Sequence, residues 1–121
     1  MTATHLTARQ RSELRAHIAA ERQRTADRAA ALQRDFGNIV TASADAVRDD
    51  EHDPEGATIA FERAQVWALL IDARATLVAL DLTQQRLDGD DAGRCDRCGG
   101  AVGFERLLAR PTATFCIDCA R

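Results

Sequence analysis

Lysine and tyrosine are absent from this 121-residue sequence, and four phenylalanines and one tryptophan supply all its aromatic mass. So few rings do not fill a thick sheet-lined core, and a hydrophobic content of 45%, much of it alanine, suits packed helices instead. No cysteine precedes Cys95, which excludes a disulfide framework spread along the chain and confines any metal or cross-link to its C-terminal end. Two prolines and seven glycines leave long stretches free of helix breakers. No hydrophobic run reaches the length of a bilayer, and Met1 to His5 lacks the apolar core of a signal peptide. The expected location is therefore the reducing cytoplasm, with no membrane contact. An excess of positive charge is lacking too. Sixteen basic residues, all arginine, face 19 acidic ones, giving a net charge of -3 with both signs interspersed. That balance argues against a broad phosphate-binding face, and no sequence-specific DNA binding is expected.

From about Thr7 to Asp50 the chain holds no proline and one glycine, Gly37, among Ala, Arg, Gln, Glu and Leu, which are strong helix formers. Leu14 and Ile18 begin an apolar stripe that Ala29, Leu32, Phe36, Ile39 and Ala46 continue at helical spacing. Glu21 to Arg28 is poorer in apolar groups and is expected to be more exposed or less regular, with Gly37 a second weak point. A turn follows at residues 49–57, where acids, Pro54 and Gly56 interrupt the pattern. Asp53 followed by Pro54 reads as a helix start, the aspartate capping an orphan amide and the proline taking the first helical position. A second helix then runs to about Asp88. Ile59, Arg63, Val66, Leu70, Ala73, Leu77, Leu80, Gln84 and Leu87 alternate spacings of four and three, the register of a coiled-coil seam. Two long helices joined by a short polar turn pack most simply as an antiparallel hairpin. The expected fold is mainly α: a hairpin over residues 1–89 with its tip near 49–57, and a small module over 90–121 at the opposite end. Leu69, Ile71, Val78 and Leu82 fall outside the seam, so the second helix is expected to have further apolar company, from the N-terminal segment or from self-association.

The module carries Cys95-Asp96-Arg97-Cys98 and, after 17 intervening residues, Cys116-Ile117-Asp118-Cys119. Two residues between paired cysteines let a tight knuckle aim both sulfurs at one ion, and Gly99-Gly100 gives the backbone freedom to leave it. This spacing points to one structural Zn2+ held by Cys95, Cys98, Cys116 and Cys119. A pair of disulfides or a redox centre is the competing interpretation. Four thiolates leave no open position for substrate, and no nucleophile, phosphate loop or triad signature occurs elsewhere, so an enzyme is not expected. Phe104 and Phe115 are expected to form the finger's small core, and Phe61 and Trp67 to pack on the second helix.

Cys95-Asp96-Arg97-Cys98-Gly99, Arg106-Leu107-Leu108-Ala109-Arg110-Pro111-Thr112-Ala113 and Cys116-Ile117-Asp118-Cys119-Ala120 together resemble the zinc finger of the DksA/TraR family. The likeness includes residues between the ligands, and the family's order of coiled coil then finger matches the hairpin derived above. The resemblance implies a bacterial regulator that binds RNA polymerase as a monomer, inserts its coiled-coil tip into the secondary channel and modulates initiation.

The family's tip motif, Asp-x-x-Asp-x-Ala, is not reproduced. Counting back from Cys95 without gaps puts His52, Glu55 and Ala57 at its three positions, whereas a shift of two gives Asp50 and Asp53. Asp50, Asp53, Glu55 and Ala57 are thus the tip residues that the resemblance directs at the polymerase active site. The acids also suit a helix N-terminus electrostatically. Arg106 and Arg110 match family positions of polymerase contact or response to guanosine tetraphosphate. Ala79 and Ala120 stand where responsive members carry lysines, and the sequence stops at Arg121 without the helix that follows the finger in longer members, so a complete nucleotide response is not expected. The alternative to a polymerase regulator is a zinc-finger adaptor or self-associating coiled coil with a different partner.

Overall fold

A computed structural model describes residues 6–46, 54–89 and 91–121, apart from the side chains of 45, 46, 54 and 55. Four helices follow in order: α1 (Ala8–Ala46), α2 (Pro54–Leu87), α3 (Phe104–Ala109) and α4 (Ile117–Ala120). Among the described residues the only β-type pairing is one isolated antiparallel bridge between Arg94 and Ala101. Of the expected turn at 49–57, residues 49–53, with Asp50, His52 and Asp53, lie outside the described residues, whereas 54–57 are already part of α2. α2 begins at Pro54, a position where the missing amide costs no helical hydrogen bond.

α1 starts with a reciprocal cap that satisfies two otherwise orphan donors. The Gln10 amide donates to Thr7 Oγ1 at 3.0 Å while the Thr7 amide donates to Gln10 Oε1 at 2.9 Å. The α2 seam is the buried face: Leu70, Ala73, Leu80 and Leu87 are its fully buried residues, and only Arg63 among the nine seam positions is exposed. On α1, Leu14 and Ile18 are buried as the stripe requires. The stretch from Glu21 to Arg28 is regular α-helix and mostly exposed, with Arg22, Gln23, Arg24, Asp27 and Arg28 facing solvent, but it buries Thr25, which is only 6% exposed. Position 25 lies one heptad beyond Ile18, so the partner helix covers it whatever its polarity, and no buried side-chain polar atom lacks a hydrogen bond among the described residues. Helix α1 also runs unbroken through Gly37, whose carbonyl accepts from Thr41 Oγ1.

The chain divides into two compact units. In the first, Met1–Gln23 with Leu77–Arg121, Leu14 and Ile18 of α1 and Leu80 and Leu87 of α2 share one core with Ala92, Cys95, Val102 and Leu107 of the finger. The end of α2 is capped across the pair, since the Arg11 guanidinium donates to the carbonyls of Leu87 at 2.5 Å and Gly89 at 3.3 Å. Arg15 with Asp88 (2.7 Å) and Arg22 with Asp81 (2.6 Å) repeat the antiparallel pairing on the surface. In the second unit, Arg24–Thr76, Leu70 and Ala73 are buried, Phe36 lies 5.1 Å from Trp67 between ring centroids, and Arg74 donates to Gln33. The pairing there is antiparallel as well.

Apolar burial, not surface charge, carries this pairing. Leu80→Ala is expected to lower stability by about 2–5 kcal/mol in chemical denaturation. Arg15→Ala is expected to cost a small fraction of that, because the side chains of its ion pair, Arg15 and Asp88, stand 48% and 69% exposed in water. Equal losses in the two variants would contradict a seam-driven fold.

Candidate metal centre

The four cysteines arrive on two short backbone devices. The first is a knuckle closed by the Cys95 amide donating to Gly100 O (2.8 Å) and the Gly99 amide to Cys95 O (3.0 Å), with Val102 N bonded to Gly93 O at 2.8 Å. Gly99 sits at φ +75°, a left-handed conformation that any side chain would strain, and a Cβ on Gly100 would lie 3.3 Å from the Cys98 sulfur. The knuckle therefore needs glycine at 99 for its backbone, and a side chain at 100 would crowd the Cys98 sulfur. The second device is the start of α4, where Cys116 is the N-cap and Cys119 lies in the single helical turn. The Asp96 amide donates to Thr114 O at 2.8 Å and ties the two together.

Their sulfurs all lie within 4.8 Å of one another, and Cys98 and Cys116 stand 3.8 Å apart. Tetrahedral zinc with Zn–S bonds of about 2.3 Å separates its sulfurs by about 3.8 Å, so the cluster has the size of a four-thiolate zinc site. Cys95 is buried in the core of its unit, Cys98 is exposed, and Cys116 and Cys119 are intermediate. The site therefore has a buried side and an open side. It is a structural zinc site: all four tetrahedral positions are filled by protein sulfur.

Charge within the set is uneven without metal. The Cys98 amide holds the Cys95 thiol down to about 6 against the opposing effect of burial, helped by the amides of Cys116 and Arg97. Hydrogen bonding with Cys116, then burial, then bonding with Cys95 and Cys98 push Cys119 up to about 12. At neutral pH Cys95 is thus already a thiolate whereas Cys119 keeps its proton, and zinc uptake must release it. Acid works in reverse. Zinc should be retained at neutral pH and released with a midpoint between about 3 and the Cys95 value of about 6, because bound metal holds the thiolates deprotonated. A chelating dye read during a pH titration measures this, and full retention down to about pH 3 would contradict it.

Arginines brace the site. Arg86 donates to Arg94 O (3.0 Å) and Asp96 Oδ1 (3.2 Å), and Arg97 reaches Cys119 O (3.2 Å). Sequence reasoning did not single out Arg11 or Arg86. A basic residue in the last helical turn was the available signal for Arg86; nothing local marked Arg11. Phe104 packs against the core as expected, but Phe115 does not: it is 37% exposed with the Arg97 guanidinium 5.3 Å above its ring. Phe115 adjoins Cys116 at the open side, where a cation covers it more readily than apolar groups do.

Arg106 and Arg110 line one shallow recess together with Thr112, Phe115 and Ala120. Arg106 donates to Phe115 O at 3.0 Å, so part of its role is to hold the chain ahead of Cys116. Of the tip residues, Asp50 and Asp53 lie outside the described residues, Glu55 falls in α2 with its side chain undescribed, and Ala57 is exposed on α2.

Helical hairpin pairing with a C-terminal four-cysteine finger defines the class: a small coiled-coil zinc-finger protein. Residues 91–121 match the prokaryotic dksA/traR C4-type zinc finger. The finger, not the whole chain, is what this match covers, and it is of the DksA/TraR C4 type. The chain is 50% identical over 46 residues to the RNA polymerase-binding transcription factor DksA of Haemophilus influenzae, a stretch covering 38% of this chain and 32% of that protein. Against the factor of the same name from Escherichia coli K12 the identity is 41% over 46 residues, 38% of this chain and 30% of that one. The matched stretch thus spans about a third of these relatives. The structure of transcription factor DksA2 from Pseudomonas aeruginosa superposes with a TM-score of 0.80 at 24% identity, covering 98% of this chain and 85% of that one, which establishes the shared fold.

Proposed function

We propose that this chain is an RNA polymerase-binding regulator of transcription that enters the secondary channel of the enzyme with the turn between α1 and α2 leading. The observation that carries the reading is the stretch 50% identical to a DksA named for polymerase binding. Each unit buries its own part of the α2 seam, Leu80 and Leu87 in the first and Leu70 and Ala73 in the second. Zinc fixes the finger, and the finger's residues share a core with the adjoining ends of both helices. In this reading Asp50, Asp53 and Glu55 present carboxylates near the catalytic magnesium, its ligands or nearby basic groups, where negative charge alters the stability of promoter complexes. Arg106 and Arg110 contact the polymerase surface. The protein works by binding, in the cytoplasm, as a single copy on the enzyme and without reading DNA sequence itself.

A photoreactive residue at Ala57, which is exposed on α2, tests the insertion step. Cross-links to polymerase segments bordering the catalytic centre are expected. Cross-links only to the outer rim, or to none of the polymerase subunits, would count against it.

A further inference from the structure

The two cysteine pairs are held by different means. Cys95 and Cys98 stand on a knuckle closed by its own backbone bonds, and Cys95 is buried beneath it. Cys116 and Cys119 stand on α4, which is four residues long and has no side-chain cap, with the Ala120 amide bonded to Cys116 O at 2.9 Å. One helical turn does not hold its own shape in water, because its nucleus fixes several residues for very few hydrogen bonds. The last carbonyls of such a turn also lack helical partners. The second pair therefore depends on groups outside α4.

Arg97 is such a group, and it comes from the opposite pair. It lies between Cys95 and Cys98 in the chain, donates from Nη1 to Cys119 O at 3.2 Å, and sets its guanidinium 5.3 Å from the centroid of the Phe115 ring, next to Cys116. One side chain thus reaches from the first knuckle to both ends of the second device. It does so on the solvent side, since Arg97, Cys98 and Phe115 are all exposed, and Arg97 lines a recess with Arg94, Cys95, Cys98 and Gly99. An incoming chelator or thiol must approach the ion from that side and displace one sulfur at a time, because all four tetrahedral positions are taken. A ligand that is tethered returns to the ion before a competitor replaces it. The planar guanidinium suits the tether: it bonds a carbonyl at its edge while its face lies on a ring, which the compact ammonium of lysine does not do.

We propose that Arg97 is a positioning residue of the metal centre, a clasp that ties the Cys116 and Cys119 pair to the first knuckle and sets how fast zinc leaves. This rests on the zinc site and not on the polymerase reading. The zinc-loaded full chain is mixed with an excess of a chelating dye at neutral pH, and the rate of zinc transfer is read from the colour. Arg97→Gln should load about one zinc and release it at least about tenfold faster, the scale on which groups that orient metal ligands act. Arg97→Lys should stay several-fold faster than wild type, since it keeps the charge and loses the fork. Arg94→Gln removes an equal charge from the same recess, beside Gly99, and should leave the rate within about twofold. Cobalt-loaded Arg97→Gln should keep the visible spectrum of a four-thiolate site, because the clasp governs release and not the resting geometry. A wild-type rate in Arg97→Gln overturns the proposal, as does an equal acceleration in Arg94→Gln or full rescue by lysine, either of which would make charge alone responsible. Should Arg97→Gln fail to load metal, Phe115→Leu decides the matter by removing the ring and keeping the carbonyl bond: release several-fold faster supports the clasp, and an unchanged rate overturns it.

Discussion

Cys98→Ser or Cys119→Ser is expected to abolish zinc binding, from about one ion per chain to about none, and to melt residues 91–121 as a unit. The finger owes its shape to metal. Its own helices are six and four residues long, and neither has a side-chain cap. Structural zinc contributes on the order of 10–16 kcal/mol to finger peptides, far more than the few buried residues here supply. The loss should not stop at the finger. Leu14, Ile18 and Leu87 share their core with Ala92, Val102 and Leu107, so the adjoining ends of α1 and α2 should loosen too. The unit Arg24–Thr76 has its own buried contacts at Leu70 and Ala73 and should keep its helical signal. The expected result is a circular dichroism spectrum that stays largely helical, with amide protection lost over 91–121 and reduced in the first and last turns beside it. A metal-free variant with a protected finger, or a native disulfide between Cys95 and Cys98, would contradict a zinc-dependent module.

The second large effect lies at the turn. Asp50→Asn, Asp53→Asn and Glu55→Gln together remove negative charge at nearly constant shape, and asparagine still caps a helix at position 53. Stability should hold. Binding to polymerase through the shaft and finger should persist, whereas the effect on promoter-complex lifetime should fall at least about tenfold, a loss that one or two charge-assisted contacts suffice to explain. A variant with full effect on transcription in vitro would reduce these acids to capping and solvation groups. Loss of helicity together with binding would show instead that the acids hold the turn.

Much of this was legible in the sequence because the signals were periodic or paired. The three-four spacing from Ile59 to Leu87 named the buried face of α2 nearly residue by residue, since a seam position is buried by geometry. The two Cys-x-x-Cys pairs and Gly99-Gly100 described the zinc site for the same kind of reason: few backbones place four sulfurs within 4.8 Å. The burial of Thr25 within the apolar-poor stretch Glu21 to Arg28 was not foreseen, because the composition of the stretch was weighed and the register of position 25 was not. Phe115 was misjudged because an aromatic beside a cysteine reads as core, whereas Arg97 covers it from the solvent side. Phe61 was expected to pack and is exposed, because it lies off the seam that runs from Ile59 to Leu87. The bracing by Arg11 and Arg86 depends on tertiary placement that sixteen interspersed arginines do not announce.

The most direct measurement of the polymerase reading is copurification of the zinc-loaded chain with core RNA polymerase, alone and with an excess of another factor that occupies the secondary channel. Binding at a ratio of about one chain per polymerase, displaced by the competing factor, is the expected result. No binding to core polymerase, or binding that the competitor leaves untouched, would contradict it.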